Sequence, residues 1–116
     1  MVKLENSYGE VEISGDVLAE IVGRAVNECF GVAGMAPKGV TDGLVSLFRR
    51  GALDKGVKVY PMGGDLISIE LHIVVVYGLS ISAVADSIMQ KVKYMVEEQT
   101  GLVVHEITVY VDAMKA

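Results

Sequence analysis

The chain reads as an α/β protein, a two-layer sandwich in which a mixed β-sheet carries two main helices on one face. Three observations carry that reading. Apolar residues recur at helical spacing in two segments, Val17 to Cys29 and Ile81 to Val96, and at period two in several others. The segments fall in the order strand, helix, connection, strand, strand, helix, strand. Helices interleaved with strands in that order form a layer over one sheet.

Residues 1–8 show no periodicity and are expected to fray. Glu10-Val-Glu-Ile13 alternates as a strand, and Ser14 is placed to cap the first helix, with Asp16 and Glu20 near its positive end. Val17, Leu18, Ile21, Val22, Ala25, Val26 and Cys29 form its apolar stripe, and Gly31 is positioned to stop it. Val32 to Met35 is a candidate short strand. Residues 36–55 read as a variable connection punctuated by glycines, with a short amphipathic turn at Leu44 to Phe48.

Gly56 to Tyr60 forms the next strand, and Pro61-Met-Gly-Gly64 supplies the turn chemistry that makes it antiparallel to Leu66 to Tyr77. Ser80 opens the second helix, and Thr100-Gly101 closes it. The helix can serve as a crossover, which makes the last strand, Leu102 to Asp112, parallel to an earlier one. Ile67, Ile69, Leu71, Ile73 and Val75 share one strand face, as do Ile107, Val109 and Val111, so both helices can cover a common sheet face.

Two helices leave the other sheet face with little to cover it. Alternation places there Leu66, Glu70, His72, Val74 and Val76, then Val104, Glu106, Thr108 and Tyr110, together with Lys58 and Tyr60. A partly apolar exposed face is a candidate partner surface. Tyr60, His72, Val74, Val76, Thr108 and Tyr110 are its candidate contact residues, unless residues 36–55 fold back over them.

At 116 residues the chain is expected to form a single domain, 1–116. No run approaches the roughly 20 apolar residues that span a bilayer. Met1 to Asn6 has no apolar run suited to a signal peptide, so a cytoplasmic protein without direct membrane insertion is expected. The net charge of −5 argues against nucleic acid as a partner. The charge is uneven: from Lys38 to Lys58 five basic residues meet two acids, giving +3 there and −8 elsewhere. Arg49, Arg50 and Lys55 form a candidate basic patch for an acidic partner or an anionic headgroup.

Candidate chemistry is sparse. Cys29 lies on the apolar stripe of a helix, where a packed thiol is expected. His72 and His105 lack a compact ligand spacing and could share a metal only if their strands were neighbours in matching register. Met62-Gly-Gly-Asp65 has no helix behind it and reads as a turn, not a phosphate cradle. Ser80 and Ser82 stand at a helix start, where capping explains them. No catalytic, metal-binding or cofactor-binding residue is assigned, and no cofactor is expected.

Tyr77-Gly78, the Ile81 to Val96 helix, Thr100-Gly-Leu102 and the spaced valines of Val104 to Val111 resemble the alkaline-shock, or envelope-stress, protein family of Gram-positive bacteria. Gly9 to Ser14 is similar to the family's opening, and Phe30-Gly-Val-Ala-Gly34 to its helix exit. The resemblance implies a non-enzymatic interaction protein of cell-envelope homeostasis or envelope-stress response. It also implies a homo-oligomer that docks to a membrane-anchored or envelope-associated protein, peripheral to the membrane through that partner. The lack of long charged extensions is similar to the short housekeeping branch, whose genes often lie beside a fatty-acid kinase. That implies an alternative role, as accessory regulator of a lipid-metabolic enzyme such as that kinase or a carboxylase.

Overall fold

The computed structural model describes residues 2–35 and 56–116, and the expected connection with Arg49, Arg50 and Lys55 lies outside the described residues. The elements in chain order are β1 (Val2–Asn6), β2 (Gly9–Ile13), α1 (Gly15–Asn27), β3 (Val32–Met35), β4 (Val57–Pro61), β5 (Leu66–Val76), α2 (Ile81–Thr100) and β6 (Val103–Lys115). The sheet is mixed, as expected. β5 pairs antiparallel with β3 and β4 and parallel with β6.

β5 is the spine of the sheet. Its residues 66–76 pair with β6 along their whole length, so β4 (opposite 67–71) and β3 (opposite 73–75) share the other edge end to end. The turn before it closes as the glycines predict: Met62 N–H donates to the Leu66 carbonyl at 2.9 Å, with Gly63 and Gly64 at φ +103° and +60°. Those angles are strained for any residue with a Cβ.

Both helices cover one face. α1 contributes Leu18, Val22, Ala25 and Val26, while α2 contributes Val84, Ile88, Val92 and Val96 at four-residue steps. They close on Ile67, Ile69, Leu71, Ile73 and Val75, all at most 1 % exposed. Burying side chains of this size stabilises by about 1.5–3 kcal/mol each, so this stripe fixes the strand's register. Ser14 Oγ accepts the Val17 N–H at 3.2 Å and Ser80 Oγ the Ala83 N–H at 3.3 Å, capping the two helices. Gly101 ends α2 in the left-handed region, with its N–H donating to Glu97.

Two expectations are corrected. The N-terminal residues do not fray: β1 pairs with β2 from Val2 opposite Ile13 to Asn6 opposite Gly9, and Val2 is buried in the core. The cause is local, because Asn6 Oδ1 accepts the N–H groups of Tyr8 (2.8 Å) and Gly9 (3.2 Å) and so folds the chain back on itself. Likewise α1 ends at Asn27 with Glu28 as its cap, before Gly31. Gly31, at φ +93°, instead turns the chain into β3 beneath Leu79 and Val84.

Candidate functional site

The helix-free face of the sheet is built by the even-numbered residues of β4, β5 and the middle of β6. Tyr60 and Tyr110 are exposed there by 46 % and 44 %, and Val76 by 40 %. Thr108 is half-buried and Lys58 exposed. These positions match the alternation of the sequence.

Val74 does not. It is 2 % exposed, packed against Ala33 and Ala113. No helix is needed to cover it: β3 and β6 flank it on both sides, and their small alanines pack directly against the branched side chain. Val74 is therefore a structural residue of this face and not a contact residue.

Val104 is also misplaced by simple alternation, since it is buried in the core under the helices. The reason is a register shift in β6. Ile67 pairs with Val104 and Ser68 with Glu106, leaving His105 as an extra residue. A bulge of this kind reverses which face the following residues occupy. A second shift, between Ile73 opposite Val111 and Val74 opposite Ala113, leaves Asp112 as the extra residue. The spacing of three from Val104 to Ile107, in a strand otherwise at period two, is the signal of the first bulge.

The second bulge builds a polar cluster. Asp112 Oδ2 lies 2.8 Å from His72 Nδ1, and Glu70 Oε2 lies 3.5 Å from His72 Nε2 on the ring's other side. The Tyr110 ring stacks on the imidazole with centroids 4.7 Å apart and planes 12° apart. Glu70 Oε2 and His72 Nε2 are sealed from solvent and make no closer hydrogen bond. A protonated ring answers both carboxylates, whereas a neutral one serves Asp112 alone. The groups point at one another and do not converge on a common point, and no metal-holding group of three such side chains occurs among the described residues.

The structure does not bring the two histidines together. β5 and β6 are neighbours, but His72 sits opposite Tyr110 whereas His105 bulges out near Ile67 and Ser68, five strand positions away. Cys29 is buried, with its thiol donating to the Ala25 carbonyl at 3.4 Å, and burial raises its pKa. Glu97, at the far end of α2, accepts the Val104 N–H and a Lys93 ammonium bond, both at 2.9 Å. The Val104 amide, then Lys93, hold its carboxyl below the usual range.

Sequence reasoning identified His72 and Tyr110 but missed Asp112 and the pairing of Glu70 with the ring. It also missed an open notch of about 360 Å³ between α2 and the start of β6, lined by Met89, Lys93, Val104, His105 and Ile107 among others.

A family model described as having a cell envelope-related function, that of alkaline shock protein 23, matches residues 3–116. The chain belongs to the alkaline shock protein 23 family. Among similar relatives, the uncharacterized protein YloU of Bacillus subtilis is 37 % identical over 115 residues, covering 98 % of this chain and 95 % of its own. The uncharacterized protein Spy1614 of Streptococcus pyogenes is 40 % identical over 116 residues, covering 98 % and 94 %. Among solved structures, a MamM-CTD variant aligns with a TM-score of 0.50 at 14 % identity, over 85 % of this chain and 96 % of that one. At that identity the likeness concerns the fold alone. The family resemblance read from the sequence is thus established, with a cell envelope-related function. No helix among the described residues is long and apolar enough to cross a membrane.

Proposed function

We propose that this alkaline shock protein 23 family member is a non-enzymatic, cytoplasmic interaction protein of cell-envelope homeostasis, self-associating and docking to a membrane-anchored protein through its helix-free sheet face. The observation that carries this reading is the composition of that face. Two exposed tyrosines, Tyr60 and Tyr110, stand among Glu70, Glu106 and Asp112, with Lys58 as the lysine on the same face. Tyrosine is enriched at interfaces, where its ring supplies area and its hydroxyl a hydrogen bond. The acidic surroundings favour a basic partner segment. Cytoplasmic segments next to membrane spans carry an excess of Lys and Arg, so a juxtamembrane stretch has the matching charge.

The test is affinity capture of the tagged full chain from detergent-solubilised cells of its native host, with Tyr60→Asp alongside. Recovery of a membrane-anchored protein by the wild type, lost in Tyr60→Asp, is expected. Capture of a soluble fatty-acid kinase or carboxylase in its place would favour the accessory-regulator role and overturn the envelope-docking reading.

A further inference from the structure

β6 is an edge strand. It pairs with β5 along one side, and among the described residues no strand lies on the other. A long edge with unpaired backbone groups is a template for a further strand, and proteins usually blunt it with charges, proline or bulges. β6 has such devices only at its ends, where His105 and Asp112 are the bulged residues. Between them Ile107-Thr-Val-Tyr-Val111 has no charge, no proline and no glycine, and every residue is a strong strand former. Beside this edge, on the helix side, lies the notch formed by Met89, Val104 and Ile107.

We infer that this edge is completed by β6 of a second copy, antiparallel about a two-fold axis at Thr108, giving one continuous sheet across a dimer. The inference rests on the self-association proposed above and names the surface that carries it.

The register follows from charge and volume. Centring on Val109 would set Glu106 against the acidic Asp112 of the other copy, and like charges directly opposed are destabilising. Centring on Tyr110 would leave only Ala113 opposite Ile107. Centring on Thr108 opposes Ile107 with the second copy's valine at 109 and brings its valine at 111 to the level of His105. Both side chains then enter the notch, and the contact is repeated by symmetry. Thr108 faces its own counterpart, and Glu106 meets a tyrosine hydroxyl. In this arrangement both helix layers lie on one side of the joined sheet, and the two helix-free faces merge into a docking surface of twice the width.

The experiment measures the dissociation constant of the full-length chain by sedimentation velocity across micromolar to millimolar concentrations, for the wild type, Thr108→Lys and Tyr60→Lys. In one copy Thr108 is half-buried opposite Glu70, with its hydroxyl donating to Glu106 at 3.4 Å, so a lysine there suits the free strand. Across the two-fold axis it meets its own image. A wild-type dimer that Thr108→Lys weakens about ten-fold or more, with Tyr60→Lys unchanged, is expected. Thr108→Cys supplies a second readout. Directly opposed antiparallel positions lie about 4.5–5.5 Å apart at Cα, within disulfide reach, so mild oxidation should yield a covalent dimer.

A wild-type dimer broken by Tyr60→Lys but insensitive to Thr108→Lys, with no cross-link at position 108, overturns the edge pairing and leaves self-association standing through the face. A wild-type chain that stays monomeric at millimolar concentration overturns both.

Discussion

Replacing Val74 with glutamate separates a buried sheet position from an exposed one on the same strand face. Val74 is 2 % exposed between Ala33 and Ala113, whereas Val76, two residues on, is 40 % exposed. Losing the burial of a valine costs about 1.5 kcal/mol. Leaving a carboxylate buried without a partner adds about 3–5 kcal/mol. The sum, about 5–6 kcal/mol, is comparable with the roughly 5–15 kcal/mol by which whole domains are stable. Val74→Glu should therefore unfold most of the chain or lower its urea midpoint drastically at pH 7, while Val76→Glu should cost under about 1 kcal/mol. Burial raises the folded-state pKa of the new carboxyl, so the loss should deepen as pH rises and lessen towards pH 4. Urea titrations followed by circular dichroism at both pH values measure this. Equal, small effects at the two positions would refute the burial assigned to Val74.

Gly31→Ala should destabilise by about 2 kcal/mol, since it places a Cβ at φ +93°, 2.8 Å from Val84 Cγ2 and 2.9 Å from Leu79 Cδ1; a urea midpoint unchanged from wild type would contradict that close approach. Glu97→Gln tests the link from α2 to β6. Because the folded-state pKa of Glu97 is lowered, its ionised form contributes stability above the ordinary carboxylate range, and that contribution is lost as pH falls through the folded value. The variant should be less stable than wild type at pH 7 and should converge with it near pH 3; a gap that widens on acidification would show the sign to be wrong.

The strands and helices were legible in the sequence because each has one dominant period. The β5 residues from Ile67 to Val75 alternate without interruption, and α2 repeats an aliphatic residue every four positions from Val84 to Val96, with serine and glycine at its ends. The hairpin of β1 was not legible, because Lys3, Glu5 and Asn6 leave only Val2 and Leu4 to show a period, and it is held by a side chain of Asn6 folding the turn. The candidate site was half legible. Alternation placed Tyr60, His72 and Tyr110 correctly, but it breaks at a bulge, and both bulges fall in β6. They turn Val104 into the core and bring Asp112 to His72. Burial of Val74 depends on two alanines from strands distant in sequence, a contact that no local pattern encodes.

The central claim, that the helix-free face receives a membrane-anchored envelope partner, is tested most directly by site-specific photo-crosslinking in living cells. A photoreactive residue is placed either at Tyr60, on that face, or at Tyr94, which is 67 % exposed on helix α2 in the layer that covers the other face. Cross-linking from position 60, and not from 94, to a membrane-anchored envelope protein is the predicted result. A partner captured from position 94 with none from position 60 would contradict the account, because it would put docking on the helical layer.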